Sequence, residues 1–202
     1  MSEKSMFERM SAGEWYGEKP DAELSRAFWR AKDLAWEFNQ MRPSNRDHGA
    51  EILSSLFGHL GKHSTVLAPL YVDYGSNISL GNGCFVNHDT YFMDCAPISI
   101  GDNAFIGPHF KAYTAQHPLD AEERNLCIER ALPITIGCDC WFGGNVTVLG
   151  GVTIGNGCVI GANSLVTKDI PAGYLALGSP AQPVRKITEK DRVGLKELFG
   201  LE

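Results

Sequence analysis

An apolar residue recurs at every sixth position from Ile136 onward: Ile136, Phe142, Val148, Ile154, Ile160 and Val166. Two places earlier stands a second apolar or small residue: Ile134, Cys140, Val146, Val152, Cys158 and Ser164. The same phase runs through Leu80, Val86 and Phe92, then Ile100, Ile106 and Ala112, with Ala96-Pro97 as a small insertion between the two runs. A six-residue period suits neither a 3.6-residue helix nor a lone amphipathic strand. It suits a coil of three short strands, about eighteen residues around, in which each hexad gives one flat side and one corner.

Within a hexad, alternation along the strand turns residues i−2 and i inward together. Cys84, Cys140 and Cys158 fall at i−2 and read as buried small hydrophobes rather than metal ligands. Cys138-Asp139-Cys140 lacks the second ligand pair that a structural zinc site needs. Glycine follows many of the apolar positions, as at Gly137, Gly143, Gly155 and Gly161, and is expected to ease the corner by tolerating positive φ.

The flanks follow a different period. Residues 21–40 place Leu24, Phe28, Ala31, Leu34, Ala35 and Phe38 on one helical stripe behind Asp21, an N-cap residue. Residues 45–60 carry a second apolar face, and Thr188 with Asp191 signals a last short helix. The expected organisation is all-β at its centre: an N-terminal helical cap over 1–62, a parallel β-helix over 63–187, and a helical tail over 188–202. Helices at the ends would cover the open coils of the stack.

The net charge of −6 argues against nucleic-acid binding, which needs a dense field of Lys and Arg. No apolar run is long enough to cross a membrane. The first residues lack the apolar region of a secretory signal. Six cysteines fit a reducing compartment, so the expected location is cytoplasmic.

The hexad count breaks at 113–133, a polar excursion beginning Tyr113-Thr-Ala-Gln-His117-Pro-Leu-Asp120. A long loop on a rigid repeat is a usual place for function. Histidine is the side chain suited to take a proton from a hydroxyl near neutral pH, although a surface histidine before a proline can also simply cap a turn. His88 and His109 lie at expected corners; His48, His59 and His63 lie on or near the cap.

Several strings together resemble the maltose/galactoside/nodulation O-acetyltransferases, closest to the maltose branch. They are Asn87-His-Asp89, the His117 loop, Pro133-Ile-Thr-Ile-Gly137, Trp141-Phe-Gly-Gly144, Val166-Thr-Lys-Asp-Ile-Pro171, and Ala12-Gly-Glu-Trp-Tyr16 with Trp36-Glu-Phe-Asn39 in the cap. The resemblance covers about residues 6–187. It implies a left-handed coil, a homotrimer with active sites between subunits, acetyl-CoA as co-substrate, and a sugar hydroxyl as acceptor. By position it implies His117 as catalytic base and Asn87 as a transition-state or acceptor contact. It places Trp141, Gly143, Gly144, Ala162, Thr167, Lys168 and Arg185 along acetyl-CoA. Gln182 and Cys95 depart from the galactoside pattern, where a basic residue and an acid stand.

For the acceptor, Asp73 and Asp94 are the carboxylates in the repeat that could pair with sugar hydroxyls, with Asp21 or Glu18 reaching in from the cap. The chemistry itself is undemanding: a thioester is already activated, so one base, one oxyanion donor and a groove holding both substrates suffice. No metal is called for. The competing readings are a same-fold acetyltransferase for serine, an amino sugar or an antibiotic; a zinc enzyme of the carbonic anhydrase type using His88, His109 and His117; and a non-catalytic trimeric scaffold.

Overall fold

A computed structural model describes residues 4–17, 21–194 and 198–200. Its centre is a parallel β-solenoid of about six turns. Three ladders form its faces. The first stacks 59–60, 78–80, 98–100, 134–136 and 153–154; the second stacks 65–66, 85–86, 105–106, 141–142, 159–160 and 174–178; the third stacks 70–72, 90–93, 111–113, 147–149 and 165–166. Three columns of corners join them, here called A (first to second face), B (second to third) and C (third to first).

The inward pairs fall as the hexads require. Every i and i−2 residue named above from Leu80 to Val166 is buried. Inside the prism an aromatic column, Phe57, Phe92, Phe110 and Phe142, steps upward edge to face at centroid distances of 6.4, 6.1 and 5.2 Å. Such pairs each add about 0.5–1.5 kcal/mol beyond area burial. Ile78 lies opposite Ile98, a coil two residues longer than the one from Thr135 to Thr153. The Ala96-Pro97 insertion accounts for the surplus, and it widens corner C.

The glycines do a different job from the one expected. Gly101, directly after Ile100, does not have positive φ; a Cβ there would stand 2.7 Å from the Cys138 backbone nitrogen of the coil above. Positive φ comes two residues later, at Gly83, Asn103, Asp139 and Gly157 in corner A and at Asp89, His109, Asn145 and Asn163 in corner B. Close stacking of coils therefore selects the glycine, and the left-handed turn residue is supplied by Gly, Asn, Asp or His.

The cap closes the lower end. Helix α1 spans Met6–Ser11, α2 Ala22–Gln40 and α3 Arg46–Leu56. Ser5 and Glu8 form a capping box at α1, a helix the periodicity did not signal. Asp21 caps α2, accepting from the Glu23 and Leu24 amides at 2.8 and 3.0 Å. Asn39 acts as a substitute strand: its amide donates to the Leu70 carbonyl and accepts from the Leu70 N–H, both at 2.8 Å. The apolar stripe of α2 from Ala31 to Phe38, and that of α3, join the solenoid core. The second apolar face ends earlier than expected, because Leu60 already lies in the first solenoid strand.

At the upper end Tyr174–Gly178 and Ala181–Lys186 pair antiparallel. The tail begins with a 3-10 turn at Glu189–Asp191; residues 195–197 and 201–202 of the expected tail helix lie outside the described residues. Among the described residues no helix is long and apolar enough to cross a membrane.

Candidate active site

The excursion leaves corner C and folds back as a short antiparallel ribbon. Ala115 pairs with Ala131 and Gln116 with Arg130, and helix α4 (Ala121–Asn125) lies in the loop between them. Asp120 caps α4, accepting from the Glu122 and Glu123 amides at 2.9 and 3.0 Å. A third strand comes from the N-terminus. Tyr16 and Glu129 donate to each other's carbonyls at 2.8 Å in both directions. The register then sets Tyr16, Glu129 and His117 in one row, and Trp15, Arg130 and Gln116 in the next.

Adjacent rows face opposite sides of a pleated ribbon. The Trp15 row locks the register from outside: the Arg130 guanidinium lies 4.7 Å over the Trp15 ring. The Gln116 amide oxygen, turned toward Arg130, accepts from Nε at 2.7 Å and from Nη2 at 3.1 Å. Beneath the ribbon sits a small second core of Met10, Tyr16, Leu24, Cys95, Ala96 and Ala131. The loop thus rests on its own floor instead of hanging from the coil.

His117 Nδ1 is 2.9 Å from the Ile128 carbonyl oxygen. A carbonyl only accepts, so Nδ1 carries a proton and donates it. In the neutral ring Nε2 then presents its lone pair, 4.0 Å from Glu129 Oε2 and on a side chain that is 53% exposed. That is the arrangement a general base needs: one nitrogen fixed, the other open. Glu129 drew no notice in the sequence, being one acid in a polar loop.

Asp73, Asp94 and Cys95 lie along the same corner, below the ribbon. Asp73 Oδ1 accepts from Lys32 Nζ of α2 and from the Tyr91 hydroxyl, each at 2.8 Å, while Oδ2 meets only the Cys95 sulfur at 3.7 Å. Burial first, and then the Asp73 and Glu129 charges, push the Cys95 thiol well above its ordinary range, so it stays protonated. Asp94 is fully buried. It accepts from the backbone N–H groups of Asp73 at 3.0 Å, Tyr74 at 2.9 Å and Asn77 at 3.3 Å. Its carboxylate is therefore spent on the chain, away from any groove. Asp21 is engaged in capping α2, and Glu18 lies outside the described residues.

The remaining expected residues occupy other parts of the prism. Asn87, Gly143, Gly144 and Ala162 lie along corner B, and Trp141 faces outward from the second ladder, between Phe105 and Val159. Gly143 is required by the stack itself, since a Cβ would stand 2.6 Å from the Ala162 nitrogen, whereas a Cβ on Gly144 would make only an ordinary contact, 3.6 Å from Pro108. Thr167 and Lys168 are exposed on corner C, coils above His117. Arg185 is held by Asp191 through a two-point ion pair at 2.9 and 2.6 Å. This pairing raises the Arg185 pKa and lowers Asp191 to about 2. One chain therefore gathers His117, Asp73, Thr167 and Lys168 on one corner, and Trp141 and Asn87 on and beside the face opposite it. His88 and His109 lie on corner B, apart from His117, so the histidine trio does not converge.

A parallel hexad solenoid with a histidine-bearing loop on one corner defines a hexapeptide-repeat acyltransferase architecture. The model for the maltose acetyltransferase hexapeptide capping motif matches residues 9–61, that for the bacterial transferase hexapeptide (six repeats) matches 133–168, and that for the hexapeptide repeat of succinyl-transferase matches 97–108. The crystal structure of a maltose O-acetyltransferase from Clostridium difficile 630 is 40% identical, with TM-score 0.90, covering 92% of this chain and 99% of that one. A galactoside acetyltransferase in complex with coenzyme A is 35% identical, with TM-score 0.90, covering 94% of each chain. A Staphylococcus aureus (strain MRSA252) protein, provisionally assigned as an acetyltransferase, is 48% identical over 187 residues, 93% of this chain and 92% of its own. The chain belongs to the maltose/galactoside/nodulation O-acetyltransferase family of hexapeptide-repeat enzymes.

Proposed function

We propose that the protein transfers the acetyl group of acetyl-CoA to a sugar hydroxyl, with His117 as general base. The observation that carries this reading is the His117 ring: Nδ1 donates to the Ile128 carbonyl, and Nε2 stands open beside Glu129. Nε2 accepts the hydroxyl proton as the acceptor oxygen attacks the thioester carbonyl. The Asn87 side-chain amide donates to the oxygen that becomes negative in the tetrahedral intermediate. Collapse breaks the carbon–sulfur bond, and the departing thiolate takes the proton back from Nε2. The products are the acetyl ester and free CoA, and histidine ends as it began.

The distribution of these residues favours a cyclic homotrimer with sites between subunits. In a three-sided prism, corner C lies opposite the second face, so a site using His117, Trp141 and Asn87 is best built from two copies. Above Thr65, the outward row of the second face is apolar in this chain: Phe85, Phe105, Trp141, Val159 and Leu175 run in one register row. The equivalent row on the first face is His59, Ser79, Ser99, Thr135 and Thr153. An exposed apolar ladder such as this calls for cover, and a closed ring of copies supplies it. Acetyl-CoA would then lie along the seam, with Trp141, Gly143, Gly144 and Ala162 from one copy and Thr167 and Lys168 from the next. Lys168 and, once exchanged from Asp191, Arg185 would meet its phosphates. In this scheme Asp73 contacts the acceptor through Oδ2, which otherwise meets only the Cys95 thiol, and Asp94 shapes the acceptor site by holding the 73–77 turn. The substrate, together with free thiols at all six cysteines, points to the cytoplasm.

The test is acetyl-CoA consumption over maltose, glucose, galactosides, amino sugars, serine and chloramphenicol, with wild type and His117→Ala. Sugar-dependent turnover that falls about 10²–10⁴-fold in the variant supports the reading. Turnover on serine or chloramphenicol alone would name a different acceptor, and a flat response to every acceptor would defeat it.

A further inference from the structure

The row that carries His117 holds two more polar side chains. Tyr16 lies directly opposite Glu129, and the register Gln116–Arg130 carries on to set His117 opposite Glu129 from the other side. Residues directly opposite in adjacent strands point to the same face. Glu129 Oε2 is 4.0 Å from His117 Nε2, and its side chain is 28% exposed, so it borders the place where an acceptor hydroxyl must sit. The Tyr16 side chain belongs to the small core beneath the ribbon together with Cys95, on the face that its bridge partner Glu129 shares. Tyr16 is 6% exposed, and its hydroxyl is the one buried side-chain nitrogen or oxygen among the described residues that has no hydrogen-bond partner.

A buried hydroxyl without a partner costs free energy that a ligand can recover. Burial holds the phenol in its protonated form, so it is a donor, and the carboxylate of its bridge partner Glu129 is an acceptor. A donor and an acceptor side by side, next to a base, match the neighbouring hydroxyl of a diol. The hydroxyl under attack gives its proton to Nε2. The adjacent hydroxyl donates to Glu129 and accepts from Tyr16.

We propose that Tyr16 and Glu129 form a diol-reading subsite beside His117, selecting polyhydroxyl acceptors over simple alcohols. The proposal rests on the acetyl-transfer reading and adds two specificity residues to it. Lys32 pairs with Asp73 at 2.8 Å, so the charge of that carboxylate is balanced within the same wall.

Acetyl transfer to maltose and to 1-propanol is measured for wild type, Tyr16→Phe and Glu129→Gln, together with thermal melting. Tyr16→Phe is expected to raise the KM for maltose about three- to tenfold, the scale of one neutral hydrogen bond. The acetyl-CoA KM and the 1-propanol rate stay as in wild type. The melting temperature does not fall, since the variant deletes an unpaired buried hydroxyl. Glu129→Gln keeps the backbone bridge and shows the same rise in the maltose KM. An unchanged maltose KM in both variants overturns the proposal while leaving acetyl transfer intact. So does an equal loss on both alcohols with a lowered melting point, which would mark Tyr16 as structural. Wild type that acetylates neither alcohol removes the acetyl-transfer reading and this subsite with it.

Discussion

Tyr16 and Glu129 exchange both of their backbone hydrogen bonds at 2.8 Å, tying the N-terminal segment to the loop that carries His117. The cap is thereby part of the site's support as well as a lid on the solenoid core. Next to the bridge, Gly17 has φ +122, and a Cβ there would stand 2.3 Å from the Cys127 carbonyl oxygen.

Gly17→Ala should therefore push the N-terminal strand off the loop. The local cost is about 1–3 kcal/mol, the scale of a side chain forced into such a backbone region. The expected result is faster amide exchange over 128–131 and a reduced kcat, with the acetyl-CoA KM little changed. Wild-type exchange rates in the variant would show that the bridge does not hold the loop.

Phe105 sits in the apolar row of the second face and is more than half exposed in a single chain. Phe105→Asp should split the oligomer, because a charge placed in a closed apolar interface loses its hydration without gaining a partner. Sedimentation is expected to show monomers with little transferase activity. A variant that sediments as wild type places the interface elsewhere.

Asp94 offers a pH-dependent check. Burial lifts its carboxyl from 3.8 to about 6, against the pull of its backbone donors. A folded-state pKa above the unfolded one favours folding below pH ~4 and loses that advantage as pH rises through about 6, a change of about 3 kcal/mol. Asp94→Asn cannot titrate. Denaturant unfolding should thus show wild type losing about 2–3 kcal/mol relative to the variant between pH 4 and pH 7. A pH-independent difference would mean that Asp94 is ionised throughout.

The solenoid was legible because its period is local and repeated: each inward position from Ile78 to Val166 could be read from spacing alone. The glycines misled, because stacking against the next coil is a contact between residues about eighteen apart. The positive φ meanwhile sits on Asn103, Asp139 and Asn145, which look like ordinary polar turn residues. The row Tyr16–Glu129–His117 was hidden for a related reason. Its strands are only about two residues long and come from distant parts of the chain, so no alternation builds up. His117 stood out through its loop; its neighbours were fixed by tertiary register. Arg185 reads as a free cation in sequence, and only the fold pairs it with Asp191.

The central claim is that His117 of one subunit works with Asn87 of another, and co-assembly of two inactive variants tests it most directly. His117→Ala and Asn87→Ala chains are co-expressed in equal amounts, and acetyl transfer to maltose is measured on the mixed oligomers. In a randomly mixed cyclic trimer, about a quarter of the sites receive an intact His117 and an intact Asn87 from neighbouring chains. The account predicts recovery of about that fraction of wild-type activity. Activity no greater than the average of the two separate variants would contradict it.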